Sequence, residues 1–553
     1  MTRQRRRVSS GFLAAAVLWA GHDATAQQHL PGRAAAVGAR SSGPTFAAAT
    51  FEAHTRFLAS DLLEGRGVGT RGGRLAAAYI ESVFRTAGLQ PGGVGGYLQP
   101  VPMEAFTPDG EGAITLSRGD ARTRLVAGDD FALVNVGQAS GTLRAEPLFV
   151  GYAISAPEEN WDDWKGVDVR GRLLVAFVNE PGRDDPRMFR GRELTLHGRW
   201  RTKLEDAARR GAAGMLLIHT DADAGYAWSV ARTNATKPTL TLAGDPGRPA
   251  LAGWIREAPA RELLRLAGFD LDSLRRLAEQ RAFRPLELPV TVEIASRLSR
   301  RPVAGNNVVG VLPGADSQAV VLMAHYDHLG VGRVVNGDSI YNGALDNGTA
   351  VATLLTMAQA YARTPSAAHP TLVFLAVDAE EDGLLGSAYH TQHPTVPLER
   401  TLATINLEMS NPWGRTRDIL VIGAPFAGFS QALGRVLTPL GMRVVRDPVP
   451  EQGYAFRSDQ LAWLQAGVPA AWLDGGFDYV GKPAGWGDAK RAEYRAQAYH
   501  TPFDEVRADW DYSGLVQLAQ ITSALVREIG AGGAAAWRSD PELIAMRRPA
   551  AGR

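Results

Sequence analysis

Apolar residues recur at helical spacing in two segments near the start of the chain. Residues 51–59 read as one helix. In 73–88, Leu75, Tyr79, Val83 and Phe84 repeat along one face, and Gly88 stands where a C-terminal glycine belongs. From about 110 to 295 the texture changes to short apolar runs bounded by turn residues. Runs 147–152, 172–178 and 214–219 predict buried strands, and 201–214 predicts one helix ending in a Gly-rich stop. From about 302 onward, strand, loop and helix alternate. Strands are expected over 319–324, 371–377, 403–407, 419–422 and 468–473, and helices over 348–362, 427–440, 458–466 and 513–529. Such alternation predicts an α/β fold, a mostly parallel central sheet flanked by helices, interrupted by a β-rich α+β region.

Ligands of such sheets gather beyond the carboxyl ends of the strands, and the polar clusters fall there. Run 319–324 leads into His325-Tyr-Asp327-His328, run 371–377 into Asp378-Ala-Glu380-Glu381-Asp382, and run 403–407 into Glu408. Asp346-Asn-Gly precedes a helix, and Tyr499-His500-Thr-Pro lies in a late loop. Taken singly, the histidines read as a surface cluster, Asp346 as a helix cap and the paired glutamates as a solvated turn. Glu408 is different, because an unpaired carboxylate at the end of an apolar strand is costly to bury.

Together these residue types suit two divalent cations, since zinc takes imidazole and carboxylate ligands and a bridging carboxylate holds two ions close together. The expected arrangement has Asp346 bridging, His325 and Glu408 on one ion, and Glu381 and His500 on the other. Asp327 is expected to accept from the His325 ring. Glu380 is expected to act as general base toward a water activated between the ions. Two Zn2+ per chain are expected, with Co2+ or Mn2+ able to take the same ligands. His328, His369, His390 and His393 read as ordinary histidines, His328 being the one close to the cluster.

Composition narrows the function. The chain has 59 basic and 58 acidic side chains, a balance that lacks the footprint of a general nucleic-acid binder. It has no cysteine, so disulfides and thiol ligands are excluded. Arg3, Arg5, Arg6 and Arg7, the apolar run 11–20 and Ala24-Thr-Ala26 form a signal-peptide pattern over 1–26, which predicts an exported protein, periplasmic or secreted, with no stable membrane anchor after cleavage. Removing four Arg and one Asp turns the net charge of +1 into about −2. At 553 residues more than one folded unit is expected.

The motifs His325-Tyr-Asp-His-Leu-Gly, Gly343-Ala-Leu-Asp-Asn-Gly-Thr-Ala, Ala379-Glu-Glu-Asp-Gly-Leu-Leu-Gly-Ser, Asn406-Leu-Glu-Met and Tyr499-His-Thr-Pro-Phe-Asp resemble the dizinc exopeptidase family of bacterial leucyl aminopeptidases and glutamate carboxypeptidase, peptidase family M28. Asp61-Leu-Leu-Glu-Gly-Arg and Gly69-Thr-Arg-Gly-Gly-Arg also look like that family's first segment. The resemblance implies a catalytic domain split over 45–110 and 296–532, an inserted domain over 111–295 and a C-terminal tail over 533–553. The insertion, with Trp164-Lys-Gly-Val-Asp-Val-Arg-Gly and Ala208-Arg-Arg-Gly-Ala-Ala-Gly, resembles a protease-associated domain and reads as a lid or recognition module. The chain departs from the family in having Glu408 where Asp is usual, Leu345 before Asp346 where a second Asp is frequent, and Gln460 in a Ser-Asp-His segment.

The expected activity is removal of N-terminal residues from peptides. Arg457, Ser458, Asp459 and Tyr499 are expected around the substrate, with Asp459 and Glu451 available to a free α-amino group. Arg457 and Lys482 keep a carboxypeptidase or dipeptidase open. A glutaminyl cyclase would use one metal. A non-catalytic binding module would predict loss of Glu380 or of a ligand, and neither is lost. A serine hydrolase is excluded by the lack of a Gly-x-Ser-x-Gly elbow. Side-chain preference and oligomeric state are not legible.

Overall fold

The computed structural model describes residues 43–134, 141–245, 249–315, 317–364, 369–422, 427–532, 537–539 and 541–547. The expected signal peptide, 1–26, lies outside them. From Gly43 the chain forms one compact unit. No helix among the described residues is long and apolar enough to cross a membrane.

A ten-stranded sheet organises this unit. Its order is Thr239–Leu242, Leu98–Pro108, Leu298–Leu312, Thr371–Val377, Ala319–His325, Thr401–Leu407, Ala470–Gly475, Asp418–Ile422 and Arg443–Val445, with Gln90–Pro91 paired to Leu298–Leu312. The four central strands, from Thr371–Val377 to Ala470–Gly475, run parallel. Their residues are buried on both faces, as parallel strands require. Antiparallel pairs adjoin this centre on each side, and the edge pair Asp418–Ile422 and Arg443–Val445 is parallel again.

Helix Thr349–Ala362 is buried almost all round and forms the axis of the core. Helix Arg71–Ala87 begins where Thr70 accepts from the Gly73 N–H and ends at left-handed Gly88; Ile80, Val83 and Phe84 face the core. Helix Ser513–Gly530 packs there through Leu515, Leu518, Leu525 and Ile529.

Among the described residues the middle region has a six-stranded and a four-stranded sheet of its own, and a two-stranded one pairing Ser155–Ala156 with Trp161–Asp162. The period of two along Leu173–Phe177 sorts its faces: Leu173, Val175 and Phe177 enter one core, Leu174 and Ala176 another. Where one helix was expected, Trp228–Thr236, Glu257–Ala267 and Leu271–Ala278 accompany Trp200–Arg209. The expected boundary at 111–295 is also crossed, because Thr239–Leu242 adds to the central sheet along Met103–Phe106. Nor do the described residues beyond 533 trail away. Trp537, Leu543 and Met546 are buried in the main core, and Arg538 donates to the carbonyls of Leu398, Thr401 and Gly467.

Candidate active site

Three adjacent parallel strands deliver the site. Strand Ala319–His325 ends on His325, Thr401–Leu407 is followed by Glu408, and Thr371–Val377 by the turn carrying Glu380 and Glu381. Asp346 sits in a one-turn π segment, Ala344–Gly348, ahead of the axial helix. His500 follows helix Trp486–Gln497 in the chain.

Asp346 lies between two imidazoles. Its Oδ1 is 3.5 Å from His325 Nε2 and its Oδ2 is 3.2 Å from His500 Nε2. Beyond His325, Glu408 Oε1 is at 3.2 Å; beyond His500, Glu381 Oε2 is at 3.3 Å. Potential ligand atoms of His325, Glu380 and Glu408 fall within 4.8 Å of one another, as do those of His328, Asp346 and Glu381. His328 is therefore not an ordinary histidine: its Nδ1 is 2.7 Å from Glu381 Oε1.

Neighbouring side chains fix this geometry. Asp504 accepts from the backbone N–H groups of Leu345 and Asp346 and so sets the bend that presents Asp346. Gly343, at φ +58°, begins that bend, and a Cβ there would meet Asp346 O and the His328 ring. Asn347 donates to Leu407 O and accepts from Met409 N–H, binding the π segment to the Glu408 strand. Buried Arg66 donates to the carbonyls of Leu58, Tyr326, Asn342 and Gly343. The Ser458 hydroxyl donates to Glu408 Oε2 at 2.6 Å.

The Asp327 carboxylate has two sets of neighbours. It stands 3.7 Å from His325 Nδ1, which also faces the backbone carbonyl of Asp327 at 3.2 Å. Its oxygens accept from the N–H groups of Glu380 and Glu381 and so tie the glutamate turn to the end of strand Ala319–His325.

The substrate residues divide. Ser458 and Asp459 are buried, Ser458 donating to Glu408 and Asp459 accepting from Ser387 Oγ. Arg457 is exposed, with its guanidinium near the Tyr454 ring. Lys482 lies over Trp486, and Glu451 faces Arg192 of the middle region. Gln460 donates to the carbonyls of Tyr454 and Ala455 and accepts from Asn406, a structural position. Tyr499 stacks on His500, with centroids 3.9 Å apart. It also lines an apolar pocket with Leu345, Met409, Trp413, Tyr454 and Trp472. Leu345, Met409 and Tyr499 each adjoin, in sequence, a residue of the carboxylate–imidazole cluster.

The electrostatics follow from crowding charge in a buried place. Burial raises the Glu380 carboxyl well above its ordinary value; His325 opposes this, while Glu408, Glu381 and Asp459 add to it. Burial lowers His500, but Glu381 and Asp346 outweigh it and push the imidazole up to about 10. Burial also raises Glu408 and carries Asp459 to about 7.

Four buried or nearly buried carboxylates thus share one space with three imidazoles, and the described hydrogen bonds of the nearby cation Arg66 go to carbonyls. Nε2 of His328 is buried without a hydrogen-bond partner, and His500 Nε2 stands between oxygens of Asp346 and Glu381. A set of hard oxygen and imidazole donors converging in this way fits divalent cations of the zinc type.

Fold and site together define an α/β protein with a carboxylate–imidazole centre at its strand ends. Residues 307–526 match the model of Peptidase family M28. An aminopeptidase from Aneurinibacillus sp. strain AM-1 shares the fold, with a TM-score of 0.50 and 17% identity over 88% of this chain and 95% of that one. Among curated proteins, a probable zinc metalloprotease of Pyricularia oryzae is 27% identical over 256 residues, 41% of this chain and 47% of that protein. Aminopeptidase YwaD of Bacillus subtilis is 27% identical over 190 residues, 34% of this chain and 36% of the relative. The matches therefore span less than half the length of these curated relatives.

Proposed function

We propose that this protein is an exported aminopeptidase that uses two zinc ions and prefers an apolar N-terminal residue. The observation that carries the reading is the placement of Asp346 between His325 and His500, with Glu408 and Glu381 flanking them and an apolar pocket adjoining. The match of residues 307–526 to the Peptidase family M28 model and the names of the two curated relatives support it. Export is supported by the pattern of residues 1–26.

In this reading His325, Asp346, Glu381, Glu408 and His500 would hold the ions, with His325 and Glu408 on one side of Asp346 and His500 and Glu381 on the other. Bound there, zinc polarises a scissile carbonyl and makes a water nucleophilic near neutral pH. The remaining work belongs to the chain. Glu380, beside the proposed ligands Glu408 and Glu381, takes the proton of the attacking water and returns it to the departing amide nitrogen. Asp327 holds Glu380 and Glu381 by their backbone amides, so proton carrier and ligand move as one turn. The apolar pocket takes the side chain of the residue being released.

Hydrolysis of an aminoacyl-4-nitroanilide panel by the purified protein, with and without chelator, tests the reading. Metal-dependent release that favours leucyl or phenylalanyl over charged substrates is expected, with a loss of at least about 10²-fold in Glu380→Gln. No release from any free-amine substrate by the zinc-loaded protein overturns it and directs attention to carboxyl-terminal substrates.

A further inference from the structure

We infer that Leu194, carried by the middle region, sets the selectivity of the apolar pocket from outside, by holding the loop that forms one of its walls. The inference rests on the aminopeptidase reading for the identity of the occupant, a substrate's N-terminal side chain.

The loop runs from 446 to 459, between strand Arg443–Val445 and helix Gln460–Gln465. Its regular structure is limited to two single turns, Pro450–Gln452 and Tyr454–Phe456. On its inner side Pro448, Val449 and Tyr454 line the pocket opposite residues that adjoin the proposed ligands. On its outer side the middle region supports it. The Leu194 N–H donates to Pro450 O at 3.3 Å. The Leu194 side chain lies against Gly453, where a Cβ would come within 2.5 Å of Leu194 Cδ2. Gly453 has φ +64°, so the close approach and the backbone bend both call for glycine. Arg192 adds a looser contact, 3.7 Å from Glu451 Oε1 with its own side chain mostly exposed. Exposed ion pairs of that kind contribute little.

A segment with few backbone bonds of its own takes its position from what packs against it. Here Leu194 reaches across from a different part of the fold to Pro450 and Gly453, with Arg192 and Gly225 lying beside Glu451. A pocket distinguishes apolar side chains by how closely its walls meet them, and one methylene is worth roughly 10–200-fold. If the wall relaxes outward, large side chains lose contact, whereas alanine, which does not reach that wall, loses nothing. Leu194 is thus a positioning residue: it touches neither the substrate nor the proposed ligands and acts through Val449, Pro450 and Tyr454.

The test uses the full-length, zinc-loaded protein as wild type, Leu194→Ala, Leu194→Val and Leu194→Met. Leucyl- and alanyl-4-nitroanilide kinetics are measured with hydrogen exchange of segment 447–456. Leu194→Ala is expected to lower the leucyl-to-alanyl ratio of kcat/KM about tenfold. The change falls on KM for the leucyl substrate, exchange in 447–456 quickens, and zinc content is unchanged. Leu194→Met restores most of the ratio, and Leu194→Val shifts it in the same direction should Leu194→Ala not fold. Equal loss on both substrates, unchanged exchange, or quicker exchange with an unchanged ratio overturns the inference. If the wild type cleaves neither substrate, the aminopeptidase reading is what fails. Calorimetric affinities for L-leucine and L-alanine on the same proteins then decide the role of Leu194: lost discrimination in the variants upholds it and retained discrimination overturns it.

Discussion

At the scale of single residues, the site depends as much on what holds its carboxylates as on the carboxylates. Glu408 stands where the family that the motifs resemble usually has Asp, and the longer side chain has one oxygen toward His325 and the other on Ser458. Ser458 in turn accepts from Asn406, whose amide also reaches Gln460. Ser458→Ala removes the donor that orients Glu408. Loss of such a supporting partner typically costs 10–100-fold in metal affinity or activity. We expect zinc affinity in Ser458→Ala, measured by competition with a chromophoric chelator, to fall by about that factor while far-UV circular dichroism stays unchanged. Unchanged affinity would show that the hydrogen bond does not set the position of Glu408. His325, Glu380, Glu381 and Glu408 were legible in the sequence because they stand at or just after apolar strand runs, whereas Asp346 and His500 lie in loops and gained meaning only beside them. Asp504 was quoted within a motif but its role was not legible. It lies 158 residues from Asp346 in sequence and acts on backbone N–H groups, a contact no spacing announces. His328 gave no separate signal, since Glu381 meets it only after two strands pair.

At the scale of elements, periodicity identified what is buried and missed what is not. The central strands and the axial helix stood out as unbroken apolar runs. Helix Trp486–Gln497 did not, because Gly487 is its one buried residue and it has no apolar face to repeat. Strand Leu98–Pro108 was hidden by Pro100 and Pro102, which argue against a central strand. The structure resolves this: Thr239–Leu242 pairs only with Met103–Phe106, leaving both prolines on a stretch with one free edge. Arg66 shows how a short turn can organise distant elements. It ends the 3-10 segment Asp61–Arg66 and joins the carbonyls after helix Ala48–Leu58, strand Ala319–His325 and strand Asp338–Tyr341. Removing it would leave several buried carbonyls unpaired, each costing about 1–3 kcal/mol. Arg66→Met is therefore expected to destabilise by at least about 3 kcal/mol in urea unfolding. Arg66→Lys should recover little, since an ammonium cannot span the same fork of acceptors. A fully stable Arg66→Lys protein would contradict this account.

At the scale of the whole molecule, the middle region is part of the site's architecture. It lends a strand to the central sheet, sets Leu194 on the pocket loop and brings Arg201 to the carbonyl of Gly383, beside the glutamate turn. Sequence alone separated this region by texture, because short strands with their own two-residue period replace the strand–helix alternation. It could not show where the region touches, because those contacts join residues hundreds of positions apart. The central claim concerns the five residues on which everything else converges. Diffraction from zinc-soaked crystals, recorded on both sides of the zinc absorption edge, tests it most directly. The account predicts two anomalous peaks in each chain, one between His325 and Glu408, one between His500 and Glu381, both in contact with Asp346. A single peak, or zinc bound away from Asp346, would contradict it.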